Sequence, residues 1–360
     1  MLKSLILLIF IFSFNSLYAQ GPSNNIQIKG EVANISIADD SIYFNTGVID
    51  SKYYEKASLY SKLTDNKFLI KTNLTYPHMF RIVFASDKNI RVWRLGEFFI
   101  DASTNSIIAN YTSDECNELN GKTADEYSGR FVPFFTKNKL YDCKSNDFFE
   151  LVNDKEPKYD TLLFNYVVKY PHSYVALWSL IERFSLLGQS ELRQQILKYF
   201  SVDVKNSRPW KILNDDMNDA KIKEKEKFPV FDVKTTELKE QKLTLPKVKY
   251  ILIDYWFSRC RPCLDTLPSL KKLYSAYHSK GFEIISISTD KTKDVPVWQR
   301  RIKEYEIPWP QYLDENGMEA KKLSIRDFPT TFLLNNKGEM IKKYGSYEEL
   351  EKFLKGHLPN

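Results

Sequence analysis

Apolar and polar positions follow different periods in successive parts of this chain. Between residues 25 and 110, short runs rich in Ile, Val, Phe and Tyr alternate with Asp, Asn, Ser, Gly or Pro, which is typical of strands joined by turns. These runs are IQIKGEV, SIYFN, KFLIKTNL, MFRIVFA, IRVWRL and SIIANYT. Their spacing predicts a small antiparallel β-sandwich over residues 25–110.

Residues 111–220 carry apolar positions at helical spacing instead. Residues 173–187 and 191–200 predict two amphipathic helices, with Ser190 as the N-cap of the second, and residues 210–220 predict a third. The polar and charged stretch 214–227 indicates a linker. We therefore expect a helical connector between the β-domain and a further unit.

Strands and helices alternate from residue 228 to residue 357. The apolar, β-branched run Tyr250–Trp256 predicts a strand buried on both faces. Beyond it, apolar residues recur every three or four positions until Gly281, and they predict a helix that ends before this glycine. Further strands (282–288, 329–334, 339–345) and helices (295–307, 347–357) follow. This alternation predicts an α/β sheet with its active site at the carboxyl ends of the strands.

Cys260 and Cys263 form a CxxC motif where the buried strand gives way to the helix. Unpaired N–H groups and the helix dipole favour a thiolate at a helix N-terminus, and Arg259 and Arg261 add positive charge beside Cys260. Cys263, one turn into the helix, is placed to resolve a mixed disulfide formed by Cys260. Half of a zinc site is the alternative, but zinc needs a second ligand pair and the sequence has no other CxxC or HxxxH. Two inert buried thiols are the other alternative.

The segment ILIDYWFSRCRPCLDTLP, residues 251–268, resembles the active-site segment of the thioredoxin fold, and specifically of its TlpA-like extracytoplasmic branch. FPTTFLLNNKGEMI, residues 328–341, resembles the cis-proline loop and hairpin of that family. The similarity spans roughly residues 228–357 and implies a central mixed sheet flanked by helices. The preceding β-domain and helical connector resemble those found ahead of TlpA-like modules in Bacteroidetes.

The resemblance implies roles for several residues of the motif segments. Asp254 matches the family's buried aspartate, whose pKa burial raises, so it could act as general base for Cys263; a carboxylate merely held by hydrogen bonds is the alternative. Pro329 matches the cis-proline, which presents the backbone of Phe328 to a substrate peptide. Trp256 matches a tryptophan that packs the site.

Two positions depart from the family pattern. Arg259 replaces the usual tryptophan before the first cysteine, which makes Arg259 and Arg261 candidates for partner contact as well as for thiolate stabilisation. Thr266 stands where many TlpA-like proteins have a glutamate. The first departure affects redox potential and partner choice, and the second affects whether a carboxylate there assists proton transfer.

The N-terminus has the pattern of a signal peptide. Lys3 precedes an apolar core over residues 5–14, and Leu17-Tyr18-Ala19 resembles a signal-peptidase site, so we expect residues 1–19 to be cleaved on export to the periplasm or cell envelope. An uncleaved anchor is the alternative, and no later run is long and apolar enough to span a bilayer. In such an oxidising compartment, Cys116 and Cys143 are candidates for a structural disulfide.

Composition narrows the function classes. The 360 residues are 43% hydrophobic and carry a formal net charge of +6, spread through mixed Lys and Glu segments. A nucleic-acid-binding protein concentrates its basic residues on one face, and no such cluster is present in the sequence. We expect no cofactor and no metal.

These observations predict an exported thiol–disulfide oxidoreductase that acts on protein disulfides. The resemblance implies a reductase that receives electrons from a membrane thiol donor, often in cytochrome c maturation. Peroxide reduction is a second enzymatic hypothesis, weakened because the sequence lacks a PxxxTxxC pattern. The non-enzymatic alternative is an interaction or scaffold protein of the cell envelope whose CxxC is a structural disulfide.

Overall fold

The computed structural model describes residues 25–33, 40–85, 91–93, 97–110, 118–136, 158–325, 327–344 and 347–358. The expected signal peptide, 1–19, and both candidate disulfide partners, Cys116 and Cys143, lie outside these residues. Within the described ranges, no helix is both long and apolar enough to cross a membrane.

The first part of the described chain contains two sheets. Its strands are β1 (Asn25–Ala33), β2 (Ser41–Asn45), β3 (Ser58–Lys62), β4 (Lys67–Asn73), β5 (His78–Ala85), β6 (Arg91–Trp93), β7 (Phe98–Ile100), β8 (Ser106–Asn110) and β9 (Glu118–Leu119). One sheet has the order β4-β1-β8-β9, and in the other β3, β2 and β5 lie side by side while β6 and β7 both pair with β5.

The described strand pairs of these sheets are antiparallel, as predicted, with one exception. β1 and β8 run parallel, with Lys29 opposite Ser106. Parallel neighbours need a long crossover, and here the chain passes through the second sheet before it returns beside β1. The period of a strand carries no information on this direction, so the purely antiparallel expectation is wrong for this pair.

Helices follow the sheets. They are α1 (Lys122–Glu126), α2 (Val132–Thr136), α3 (Lys158–Lys169), α4 (Tyr174–Leu187), α5 (Glu191–Tyr199), α6 (Val202–Asn206) and α7 (Arg208–Asp219), with a π-helical turn, Tyr127–Phe131, between α1 and α2. Ser173 and Ser190 cap α4 and α5, because each side chain accepts the backbone N–H of the third residue of its helix. The sequence pattern does not predict α1, α2 or α3.

Strands and helices of this first part share one hydrophobic core. Phe44 and Phe80 from the sheets and Leu163 and Trp178 from the helices are completely buried in it. The indole N–H of Trp178 donates to the carbonyl of Pro77 at 2.7 Å, so α4 is fastened directly to the turn before β5. The sheets and the helices are therefore packed as one body in this region.

A buried ion cluster joins three of these helices. Arg183 Nε and Arg193 Nη1 each lie 2.7 Å from a different carboxylate oxygen of Asp160, and none of the three side chains is more than 3% exposed. Burial alone raises the pKa of Asp160, but the two guanidiniums outweigh it and hold that pKa below its usual value. Asp160 thus links α3 to α4 and α5.

The last part of the chain is a seven-stranded mixed sheet. Its strands are β10 (Asp232–Lys234), β11 (Glu240–Lys242), β12 (Tyr250–Trp256), β13 (Phe282–Ser288), β14 (Gln311–Leu313), β15 (Thr330–Asn335) and β16 (Met340–Tyr344), in the order β11-β10-β14-β13-β12-β15-β16. Its helices are α8 (Arg261–Tyr277), α9 (Val295–Glu304), α10 (Met318–Lys322) and α11 (Tyr347–His357). Single 3₁₀ turns occur at Ser51–Tyr53, His278–Lys280, Thr292–Asp294 and Glu315–Gly317. The α/β fold predicted for this part is confirmed.

Strand β12 is bonded on both edges, to β13 in parallel and to β15 antiparallel. Ile251, Ile253 and Tyr255 face one core, while Leu252 faces another that contains leucines of α8 and α11. Alternate residues of a strand point to the same face, so Asp254 lies on the α8 side with Leu252. This prediction of a strand covered on both faces is confirmed.

The predicted linker differs from a free connection. Residues 214–219 belong to α7 because Leu213 and Met217 bury one side of that helix. The backbones of Lys225 and Glu226 then exchange hydrogen bonds with Met340 along β16, at 2.8 and 2.9 Å. The chain therefore covers the edge of the C-terminal sheet before entering it.

The Asp160 cluster gives a test of how the first part is held together. Asp160→Asn leaves two buried guanidiniums without their shared carboxylate, so we expect urea unfolding at pH 7 to show a loss of about 3–5 kcal/mol. Because the folded pKa of Asp160 lies below the unfolded one, its stabilisation is present above the ordinary Asp pKa and disappears as the pH falls through the folded value. Wild type and variant should therefore converge in acid.

The matched control is Asp203→Asn, since Asp203 pairs with His172 on the surface, where both side chains are more than half exposed. This substitution should change the free energy of unfolding little. Equal effects of the two substitutions would contradict a special contribution of the buried cluster.

Candidate active site

Cys260 is the N-cap residue of α8. Its backbone is extended (φ −74°, ψ 100°), and its Sγ accepts the backbone N–H of Cys263 at 3.2 Å. The two cysteines are joined as a disulfide, and each is less than 5% exposed. A sulfur that receives an N–H at a helix N-terminus is stabilised as a thiolate when the disulfide is reduced. The geometry thus distinguishes Cys260 from Cys263.

The loop before Cys260 is anchored to the end of β13. Ser258 donates its backbone N–H and its hydroxyl to the two carboxylate oxygens of Asp290, at 2.8 and 2.6 Å. The Ser288 hydroxyl also donates to Asp290, at 2.6 Å, and all three side chains are buried. Asp290 therefore fixes where the chain leaves β12 and where α8 begins, a tertiary contact that the sequence pattern does not reveal.

Arg259 and Arg261 flank Cys260 as expected, but each has a carboxylate partner. Arg259 Nε lies 2.9 Å from Asp294, and Arg261 Nε lies 2.9 Å from Asp265. The two arginine side chains are 65% and 83% exposed. Since the aspartates and the solvent offset much of their charge, the arginines add less to the field at Cys260 than the sequence alone suggests.

Asp254 is buried on β12, 3% exposed, with Ser286 beside it on β13 and Thr331 on β15. Burial raises the pKa of Asp254 to about 6, while a hydrogen bond from the Ser286 hydroxyl, 2.8 Å from Oδ2, opposes this rise. A carboxyl group in this range is ionised at neutral pH and can still bind a proton. The desolvation expected from the sequence is present.

Thr266 and Tyr347 complete the surroundings of Asp254. The Thr266 hydroxyl donates to the Cys263 carbonyl at 2.8 Å, and the Tyr347 hydroxyl lies 3.5 Å from Thr266 Oγ1. Burial first, and then the charge of Asp254, raise the pKa of Tyr347 far above its usual value. Neutral hydroxyls of Thr266 and Tyr347 thus lie together beside the Cys263 carbonyl.

Trp256 packs in one cluster with both cysteines, and Phe328 is packed against the same cluster. The Phe328–Pro329 peptide bond is cis, and the Phe328 ring meets Phe257 edge to face at 5.4 Å between centroids. The structure therefore brings the CxxC, Trp256 and the proline loop together. Their individual roles in catalysis and substrate binding stay predictions.

The described residues also form a cavity that lies away from the CxxC. This cavity of about 190 Å³ opens between the first part and the C-terminal sheet, lined among others by Tyr53, Gln189 and Lys343, and includes neither cysteine of the CxxC. Among the described residues, no group of three or more His, Cys, Asp or Glu side chains is arranged to hold a metal ion.

Sequence reasoning missed Ser286, Asp290 and Asp294 as parts of the site, and also Trp309, whose indole N–H donates to Ser286 Oγ at 2.8 Å. Ser286 had a detectable signal, because it is a polar residue inside the otherwise apolar strand run FEIISIS. The partners of these residues are about 20 to 35 positions away in sequence, so their contacts become visible only in the fold.

Comparisons with known proteins agree with this geometry. The AhpC/TSA family matches residues 225–349. The thiol-disulfide oxidoreductase ResA of Bacillus thuringiensis subsp. konkukian is 32% identical over 129 residues, which cover 34% of this chain and 73% of that protein. The thioredoxin-like protein YneN of Bacillus subtilis is 27% identical over 117 residues, 32% of this chain and 68% of that protein.

Among solved structures, the thioredoxin domain of a thiol-disulfide oxidoreductase from Bacteroides vulgatus is 28% identical and covers 36% of this chain and 96% of that chain, with a TM-score of 0.32. The ResA relative is matched over most of its length, and residues 225–349, which match the AhpC/TSA family, contain the CxxC and the proline loop. Through its C-terminal unit, the chain therefore belongs to the thioredoxin-like thiol-disulfide oxidoreductases.

Proposed function

We propose that this protein is an exported thiol–disulfide oxidoreductase that reduces disulfides of protein substrates. The observation that supports it most directly is the asymmetry of the CxxC: the Cys263 N–H donates to Cys260 Sγ at the start of α8. Cys260 is accordingly the nucleophile, and Cys263 is the resolving cysteine.

Reduction of a substrate proceeds in two exchange steps. The Cys260 thiolate attacks one sulfur of the substrate disulfide; a bond forms between the two proteins, the substrate S–S bond breaks, and the released substrate sulfur takes up a proton. Cys263 then loses its proton and attacks Cys260 Sγ. The Cys260–Cys263 disulfide forms, the second substrate sulfur leaves, and two electrons have passed to the substrate.

Asp254 is the general base in this proposal. Its position on the α8 face of β12 and its pKa of about 6 suit a group that takes the Cys263 proton near neutral pH. The alternative is a carboxylate held only by its hydrogen bond to Ser286. Loss of the resolving step in Asp254→Asn, with the attack by Cys260 retained, distinguishes the two.

Substrate peptides dock, in this proposal, over the surface formed by Trp256, Phe328, Pro329 and the two arginines. Trp256 is buried and shapes the floor, while Phe328 is partly exposed. Arg259 and Arg261 are the exposed charges at the rim. Acidic side chains of a substrate can therefore compete with Asp294 and Asp265 for these guanidiniums.

The direction and the compartment belong to the same proposal. The signal-like segment 1–19 supports a location in the periplasm or cell envelope, and a reductase in such an oxidising compartment needs an external thiol donor, for which a membrane protein is the candidate. A place in cytochrome c-type biogenesis follows the family resemblance. The competing function is a scaffold protein whose CxxC is a structural disulfide.

Two single substitutions test the assignment of the cysteines. Cys260→Ser should abolish insulin reduction and the trapping of partners, because no nucleophile remains. Cys263→Ser should accumulate mixed disulfides, because the resolving sulfur is missing; mass spectrometry of trapped species measures this. Trapping by Cys260→Ser, with none by Cys263→Ser, would show the reverse order of attack.

Replacement of Arg259 gives a second test. Arg259→Trp removes one positive charge beside Cys260, so we expect the midpoint of thiolate absorbance against pH to rise by about 0.3 pH units in low salt, and the couple to become more reducing. The rise is small because Asp294 and solvent already offset this charge.

The control is Lys272→Gln, which removes a paired cation three turns further along α8. It should leave the midpoint where it is in the wild type. An unchanged or lower midpoint in Arg259→Trp would exclude the electrostatic role and leave Arg259 as a docking residue.

A further inference from the structure

Three buried polar groups form a chain that ends at Asp254. The indole Nε1–H of Trp309 donates to Ser286 Oγ at 2.8 Å, and Ser286 Oγ donates to Asp254 Oδ2 at 2.8 Å. Trp309, Ser286 and Asp254 are 3%, 1% and 3% exposed. All three side chains are therefore shielded from bulk water. Contacts within the protein determine which group donates to which.

The chemistry of the first group fixes the direction of the chain. An indole nitrogen can only donate, so the Ser286 oxygen must accept from it. A hydroxyl has one proton of its own, and the acceptor within hydrogen-bonding distance of Ser286 Oγ is the Asp254 carboxylate. Trp309 therefore turns the Ser286 proton towards Asp254, where it favours the ionised carboxylate over the protonated one.

This donation opposes the effect of burial. Burial raises the pKa of Asp254 and the Ser286 hydrogen bond lowers it, which leaves the value at about 6. Without the hydrogen bond, a carboxyl group in this environment would hold its proton more tightly. It would then be less available as a base at neutral pH.

The other groups around Asp254 do not replace this contact. Tyr347 of α11 lies in its field and stays protonated, since burial and the Asp254 charge raise its pKa. Thr331, opposite Asp254 on β15, directs its hydroxyl to the Tyr344 carbonyl at 3.2 Å. Cys263 of α8 is held in the disulfide of the oxidised protein.

We propose that Ser286, oriented by Trp309, is a positioning residue that sets the proton affinity of Asp254 and thereby the pH range in which Cys263 resolves mixed disulfides. The effect on the resolution of mixed disulfides rests on the general-base function proposed above for Asp254. The effect on the proton affinity of Asp254 concerns the folded, oxidised protein alone.

The test is a titration of Asp254 in the oxidised full-length protein. Carboxyl carbons of ¹³C-labelled aspartate are followed by NMR against pH, and the Asp254 signal is assigned by its absence in Asp254→Asn. Ser286→Ala should shift the Asp254 midpoint upwards by about one pH unit, equivalent to ten-fold tighter proton binding, because one hydrogen bond to the ionised form is lost.

Three further variants isolate the cause. Ser286→Thr keeps the hydroxyl and should restore the wild-type midpoint. Trp309→Phe keeps an aromatic side chain but removes the N–H, so the Ser286 hydroxyl is free to rotate and the midpoint should rise by a smaller amount. Ser288→Ala is the matched control, since Ser288 lies on the same face of β13 but donates to Asp290; it should leave the Asp254 midpoint unchanged.

An Asp254 midpoint that stays the same or falls in Ser286→Ala would overturn the proposal. A rise in Ser286→Ala without one in Trp309→Phe would overturn the orienting function of Trp309. The titration needs no turnover, so it remains decisive even if the wild type reduces no protein disulfide. That result would contradict the proposed function and leave the electrostatic role of Ser286 to be judged separately.

With an active wild type, the effect of Ser286 on resolution is measured as the pH dependence of the rate at which mixed disulfides are resolved. Its inflection should move upwards with the Asp254 midpoint in Ser286→Ala, while attack by Cys260 on a small aromatic disulfide keeps its own pH profile. An inflection that does not follow the Asp254 midpoint would contradict control of resolution by Ser286.

Discussion

The position of strand β12 is the constraint on which the site depends. Because β12 is hydrogen-bonded to β13 and β15 and covered on both faces, its residues cannot shift in register without breaking two ladders and two cores. Asp254 and Trp256 are therefore held on the α8 side. The strand ends where Ser258 is bound by Asp290, and Cys260 begins α8 directly afterwards.

This arrangement gives the two cysteines different chemistry with little help from charged side chains. Cys260 Sγ receives a backbone N–H, whereas the flanking arginines are engaged by Asp294 and Asp265. Asp254 is tuned by burial and by one serine hydroxyl. In the proposed mechanism, backbone geometry and desolvation, both properties of the fold, therefore contribute more to the reactivity of the site than surface charge does.

The sequence predicted those parts of the protein in which local pattern and fold coincide. β12, α8 and α11 have clear periods, and the CxxC and Pro329 lie in recognisable segments. The pattern analysis did not predict α3, although its buried residues Tyr159, Leu163 and Tyr166 recur at helical spacing.

The sequence pattern also could not predict the parallel pairing of β1 with β8, since the period of a strand is independent of its direction. The same limit applies to Ser286 and Trp309, whose relation to Asp254 joins residues far apart in sequence. The stretch 214–227 was expected to be a linker because most of its residues are charged or polar. The buried positions of α7 and the backbone pairing with β16 are not visible in that composition.

An exchangeable redox couple at Cys260 and Cys263 differs from a structural disulfide in how readily it is reduced. The most direct measurement is a redox titration of the folded protein in thiol–disulfide buffers, with alkylation and mass spectrometry of the peptide that contains the CxxC. We expect reversible reduction with a midpoint above about −300 mV, in the range of catalytic couples. A CxxC that stays oxidised in buffers poised below about −300 mV, while the protein remains folded, would contradict this expectation.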